Sequence, residues 1–552
     1  MTVVTATIKG ERETLKLTSY RLLSIDTTKE FNKVPLAELK LYDGDIAKQE
    51  FKTLDDDFFI PGKKIEFFLK YEGDLNSEER IFSGIVVNHS LEWTSYGSTL
   101  TVELSDQAIK MTGVRKNAVF EGQKDSKIIS SLVSQNKLKT GQIAKTDLAH
   151  TQMVQHYTCD WDFMLSRAEA NGQWVIADDG KISTIEPKVK SPSLVLEYGV
   201  DFFNFDLQLN SRDQYNEVSS VAWDMKGQKL ATTKGKDYKL EQTGYDISGI
   251  AKTLGAQKAS VVHAVDMGPA ERQSWSDAQI MKSRLSLLQG TIKIRGNGKV
   301  QVGQTVELRK LSRFTGKHII SGVRQVYTLE EDWYTYLQIG MDANWFTARP
   351  NLMDTQAAGL LPGINGLQVG VVAAHEKDPD NQFRVRVTIP AFGTSQPGQG
   401  TVWARLASVD AGAGRGVFFR PEKGDEVVVG FLNDDPRQAL ILGAMHSQAN
   451  KTPALVNKTN SQKGIFTKSN YQLLFDEENK MITLSTPGKN QICIDEKNGM
   501  ISLSDANENK VELSKKGVVI NSAKDFQINA KGNFDIKADG KVKISGKKID
   551  LI

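Results

Sequence analysis

The sequence predicts a mainly β fold: a hub of β-barrel-like domains with a few helices, a second small barrel, and a C-terminal needle. In the needle, three copies of the chain intertwine as a triple-stranded β-helix. Three observations predict this. From Val518 to Ile552, apolar pairs recur every eight residues, as Val518/Ile520, Phe526/Ile528, Phe534/Ile536 and Val542/Ile544. Inside each pair the side chains lie two apart, the period of a strand with one buried face. Upstream, the chain breaks into short alternating runs bounded by Gly, Asp or Asn, with only three stretches of helical period.

A fixed short period means a stack of equivalent rungs. One rung buries too little to offset its ordering entropy, and its edges stay unpaired. A single-chain solenoid needs more residues per turn than eight, because each coil has about three sides. Three chains round one axis suit the short unit better, and the eight residues of the pairs above become the needle core. Gly532, Gly540 and Gly546 serve the corners. The signal continues upstream with looser spacing, as Ile482/Leu484, Ile492/Ile494, Ile501/Leu503 and Val511/Leu513. A β-sandwich whose strands alternate is the competing reading, and the equal intervals argue against it.

The chain in order gives a hub over residues 1–350. Short strands come first, and IEFFLKYEG with RIFSGIVVNH reads as a hairpin. Three helices follow: Lys127 to Leu138, with Ile128, Ile129, Leu132 and Val133 on one face; WDFMLSRAEANG, capped by Asp160; and the stretch 271–290, with Ala278, Met281, Leu285 and Leu288 in step and Gly290 as its stop. Further strands complete two barrel-like units. Residues 351–363 read as a linker, 364–446 as a five- or six-stranded barrel of OB type, 447–470 as a second linker and 471–552 as the needle.

Composition excludes several classes. Seventy basic residues against 67 acidic ones leave a net charge of +3, so nothing draws the whole chain to nucleic acid or membrane. From Ser514 onward nine lysines stand against four acidic residues, which reads as solubility for a narrow rod. Attraction to anionic membrane is the lesser alternative. Two cysteines, Cys159 and Cys493, exclude a disulfide scaffold and a Cys-based zinc site. The N-terminus lacks the apolar core of a signal peptide, and no run of 18 apolar residues occurs.

The stretches FRVRVTIP, WARL, GAGRGVFFRPEKGDEVVVGFLNDDP and ILGAM, in that order, closely resemble the OB domain of VgrG proteins. These are the spikes of type VI secretion systems and related contractile injection systems, similar to the hub and spike of phage tails. WDFMLSRAEANG, QYNEVSSVAWD and GQTVELRKLSRFTGKHIISGVRQVY match more loosely, and with the needle the resemblance covers nearly the whole chain. It implies a homotrimer that caps the inner tube, meets baseplate proteins at the hub and pierces a target envelope, with transient contact with the target membrane. It also implies a PAAR-type tip protein at the needle end, where Ile549, Leu551 and Ile552 offer apolar contact, and a capacity to carry effectors. Such a protein is made in the bacterial cytoplasm without a signal peptide and leaves with the apparatus.

Candidate chemistry is sparse, and no catalytic, cofactor or metal site is expected. His150, His156, Cys159 and Asp160 cluster without a zinc spacing. The GAGRG run at Gly412 to Gly416 lacks the Lys of a phosphate loop and reads as a tight strand turn. FFRPEKG and FRVRV mix aromatic and basic residues, but alternation turns many of them inward, so no nucleic-acid groove is expected. The 24 residues between His446 and Tyr471 are too few for a catalytic lobe, and no domain is expected after Ile552. The reading is therefore a non-enzymatic spike. A spike with cell-wall hydrolase activity and a fibre-like adhesin are the alternatives.

Overall fold

Alternation in the N-terminal strands resolves into a single long sheet. The computed structural model describes residues 3–550 except 12, 16–19, 74–77, 96, 240–245, 256–257, 350–351, 353–354, 394–399 and 455. The chain is mainly β and forms two compact units, residues 1–354 and 355–552.

In the first unit the run Lys64–Tyr71 points Ile65, Phe67 and Leu69 into the core and pairs antiparallel with Glu79–Thr94, the expected hairpin. Leu36–Tyr42 does the same with Ala37, Leu39 and Leu41. The strand sets of the two expected barrel-like units are joined edge to edge. Arg21–Glu30 pairs antiparallel with Gly316–Thr328, so a twelve-stranded sheet runs from the first strands to the last ones of the hub. Arg324 crosses that seam to grip Asp26, with its Nε at 2.9 Å. No local pattern announces this junction, because its partners lie about 300 residues apart.

Four helices are inserted among the described residues: α1 (Asp125–Gln135), α2 (Asp160–Ala170), α3 (Ile247–Thr253) and α4 (Pro269–Leu285). Ile128, Ile129, Leu132 and Val133 of α1 are buried, as their spacing requires. Two details differ from expectation. The cap of α2 is Cys159, whose sulfur accepts from the Asp162 amide at 3.4 Å, while Asp160 sits inside the first turn. Helix α4 ends at Leu285, because Leu288–Arg295 is recruited as a strand between Phe202–Leu209 and Asp332–Ile339. Gly290 therefore lies in a strand, where a Cβ would come within 2.0 Å of the Asp206 carbonyl oxygen. Helix α3 was not expected. Asp246 caps it at the Gly249 amide, 2.9 Å away, but with seven residues the helix is too short for Ile247, Ile250 and Ala251 to stand out as a helical period.

In the second unit Gln368–Ala374, Val385–Thr388, Thr401–Leu406, Glu426–Phe431 and Ala439–Ala444 close into a five-stranded barrel. The closure is the parallel pairing of the third strand with the fifth. Val372, Val385, Val387, Val427, Val429 and Ile441 fill it. Seven five-residue strands follow, from Gln462–Phe466 to Gly517–Asn521, each antiparallel to the next.

Candidate functional site

The meander of residues 462–521 sets its apolar residues in register. Phe475 lies opposite Ile482, then Ile494, Ile501, Leu513 and Val518 follow across successive strands. A parallel column runs Ile465, Leu473, Leu484, Ile492, Leu503, Val511, Ile520. Side chains two apart on a strand share a face, so the columns make one continuous apolar face. The other face carries Thr483, Cys493, Ser502 and Glu512.

That apolar face is not covered by its own chain. Ile492, Ile494 and Leu503 are all exposed, and an open trough of about 610 Å³ lies over Leu484, Ile492, Leu503, Ile520 and Phe526. The ladder then continues past the last strand. Phe526, Ile528, Phe534, Ile536, Val542 and Ile544, with Val518 and Ile520, range from 51% exposed at Val542 to 67% at Val518. Among the described residues no strand is formed after Asn521, and no backbone–backbone hydrogen bond joins 524–550 to the rest of the chain. Ile549 is also exposed, and Leu551 and Ile552 lie outside the described residues.

Sequence reasoning treated 471–552 as one kind of rung. The structure divides it at Asn521. Upstream, each strand returns antiparallel on the one before, which takes a five-residue strand and a turn, so the pairs fall at 482, 492, 501 and 511. The turns are set by side chains. Asp476 accepts from the Asn479 amide and Asp495 from the Asn498 amide, each at 2.9 Å. Asn490 and Asn509 reach the next turns, accepting from the Ala506 and Ala523 amides at 3.3 and 3.0 Å. The irregular run QLLFD hid Leu473 and Phe475 from the sequence reading, since two adjacent leucines blur the period.

The cluster of His150, Cys159 and Asp160 is structural. His150 lies 3.0 Å from Asp125, which also accepts from Arg167 Nε at 2.7 Å and from Asn171 at 2.8 Å. Burial alone would raise the Asp125 carboxyl, but Arg167, His150 and Asn171 outweigh it and hold it below the usual range. Asp160 is held down in the same way by Gln155, Lys116 and Asn136 against its burial. Burial pushes the Cys159 thiol up to about 11. His156 is exposed.

In the barrel, Gly412 and Gly416 flank the expected tight turn, clamped by Arg415 on Asp410 at 2.7 and 2.8 Å. The aromatic residues beside it differ from expectation. Val385 and Val387 point inward, but Phe383, Phe418 and Phe419 are exposed: Phe383 precedes the strand at a left-handed turn, and the segment 408–420 leaves the sheet before alternation can bury the other two.

The family described as Alg8 N-terminal domain matches residues 1–328, more than half of the chain. The type VI secretion system/phage-baseplate injector OB domain matches residues 368–446. The chain belongs to the Alg8 N-terminal domain family and is of VgrG spike type. The type VI secretion system spike protein VgrG4b of Pseudomonas aeruginosa is 37% identical over 99 residues, 17% of this chain and 12% of that one. Spike protein VgrG3 of Vibrio cholerae is 32% identical over 96 residues, 17% of this chain and 9% of that one. The matched segments thus span about an eighth or less of these relatives' lengths. A tail protein from Neisseria meningitidis aligns in structure over 62% of this chain and 98% of its own, at 13% identity and a TM-score of 0.45. Among the described residues no helix is long and apolar enough to cross a membrane.

Proposed function

We propose that three copies of this chain assemble into a non-enzymatic spike that caps the inner tube of a contractile injection machine and punctures a target envelope. One observation carries the reading: the apolar ladder is uncovered in a single chain and runs on beyond the last strand that chain can pair. Burying one such side chain contributes roughly 1.5–3 kcal/mol. A second and third copy supply both the apolar cover and the main-chain partners that 524–550 lacks.

In this reading each meander forms one wall of a three-sided shaft, its columns facing inward. After Asn521 the chains wind round one another. Stiffness follows, because an interwound shaft has no free edge and no face that can slide without uncovering its core. The hub meets the tube and baseplate proteins. A PAAR-type tip protein docks on the apolar side chains around Ile549, whose exposure supports the reading, and effectors travel with the assembly.

The test is the light-scattering mass of the full-length protein beside a chain ending at Lys468. A trimer that falls to monomer on truncation supports the reading. A monomeric full-length protein would sink it.

A further inference from the structure

Helix α4 carries a surface that the spike reading does not use. One flank of it, with Ala278 and Met281, forms the floor of an open cleft of about 610 Å³ in the hub, within the size range of ligand clefts. The end of α2, at Gly172 and Gln173, closes one side, and the segments 145–148, 186–188 and 236–238 form the walls. This cleft is built rather than loose. Thr146 accepts from the Ser126 amide at 3.0 Å, which ties the first wall to α1. The Tyr238 hydroxyl donates to the Pro187 carbonyl at 2.5 Å, which ties the other two together. Asp277 of α4 accepts from the Lys236 amide at 2.6 Å and from Gln273 at 2.7 Å, which ties the last wall to the floor.

Gln173 is the group that the hub leaves unanswered. It lines the cleft, is only 3% exposed, and its Oε1 has no hydrogen-bond partner among the described residues. A buried amide is normally paired. A half-turn of the side-chain amide offers either its oxygen or its NH2 to the cleft. One residue of an extended peptide answers both, because its N–H and C=O point to the same side and exchange two bonds with a facing amide, as residues do across a sheet.

Charge narrows the peptide further. Lys188 is already paired with Glu186, whereas Lys145 and Lys236 are exposed and have no carboxylate partner among the described residues. The acidic groups are mostly engaged: Asp277 as above, and Asp237 with Arg284 at 2.9 Å. A polyanion such as nucleic acid would meet four carboxylates along the same walls, since Asp147, Glu186, Asp237 and Asp277 all line the cleft. A single carboxylate finds two unpaired ammonium groups.

We propose that this cleft binds an extended, acidic peptide segment of another protein. One residue of the segment pairs through its main chain with Gln173, and a carboxylate of the segment pairs with Lys145 or Lys236. Residues 145–281 of one chain supply the whole cleft, so the proposal does not depend on the trimer.

The test selects random dodecapeptides displayed on phage against the full-length chain. Enriched sequences are expected to carry Asp or Glu. A synthetic copy of the strongest should bind the Lys145→Gln/Lys236→Gln double variant about tenfold more weakly, as the loss of two exposed charge pairs implies. Both lysines are exposed, so the variant should keep the parent's light-scattering mass and melting temperature. Gln173→Met keeps the length of the side chain and removes the amide, and should also weaken binding about tenfold while leaving the preference for acidic over amide side chains intact. No enrichment, enrichment of Lys- and Arg-rich peptides, or equal affinity for the double variant would each overturn the proposal. Parent-like affinity in Gln173→Met would overturn the main-chain pairing. None of these results bears on the spike reading, whose measure is the mass of the assembly.

Discussion

In the hub, Lys282 of α4 and Glu169 of α2 meet inside a fold that covers them almost completely, while at the other end of the chain Ile536 and Ile544 stand about two-thirds exposed. One region buries charge and the other displays hydrocarbon. The hub can do this because its ions are satisfied at home. Lys282 also reaches the Asn344 carbonyl at 2.7 Å, and Glu169 accepts from the Phe346 amide at 2.7 Å. The C-terminal segment has no such internal answer for its ladder. A folded region that solves its own accounting is a unit, and one that leaves it open is half of an interface.

The contrast predicts that C-terminal changes alter mass while hub changes alter stability alone. The largest effect belongs to truncation at Lys468, which should abolish the trimer and leave a monomer that keeps the hub's tryptophan fluorescence. Seven of the eight tryptophans precede residue 355, so this signal reports the hub.

Next comes Ile528→Asp. It would bury three unpaired carboxylates together, at several kcal/mol per copy, and should lower the midpoint at which the trimer dissociates on dilution or heating. A variant that melts and sediments like the parent would mean that Ile528 is not in the core.

Lys282→Ala tests the other side. It strands Glu169 in the hub interior, at about 3–5 kcal/mol, and should depress the hub's thermal transition while the mass stays trimeric. Loss of the trimer in this variant would show that the two regions are not independent.

Acid should separate the regions further. Asp125 and Asp160 have folded pKa values below the unfolded carboxylate value of about 4. Their contribution is therefore complete above that pH and lost as pH falls through the folded values. Asp476 and Asp505, half-buried, and Asp495, buried, are lowered too, but mainly by turn hydrogen bonds to neutral asparagines rather than by a cation, and contribute less. Between pH 6 and pH 3, calorimetry should show the hub transition falling more than the C-terminal one.

The smallest effect is Asn509→Ala, at about 1 kcal/mol per copy. It removes the acceptor for the Ala523 amide, where the meander gives way to the segment after Asn521. Faster hydrogen exchange at Ala523, with the upstream strands unchanged, is the expected reading.

Much of this was written in the sequence. The eight-residue interval from Val518 to Ile544 marked an apolar face that this chain leaves exposed, because a strict period with one apolar face states which side is apolar without saying what covers it. The alternation in Lys64–Tyr71, the apolar face of α1 and the tight turn at Gly412 to Gly416 were equally local and equally legible. Tertiary structure decided the rest. It seated Gly322 against Glu30 to join two distant strand sets, turned Leu288 from a helix into a strand, and made Cys159 rather than Asp160 the cap of α2. It also split the C-terminal segment at Asn521 and turned Phe383 and Phe418 to the outside. Periodicity fixes which side of an element is apolar. Which neighbour that side meets depends on contacts between residues far apart in the chain, and their pairing leaves no local mark.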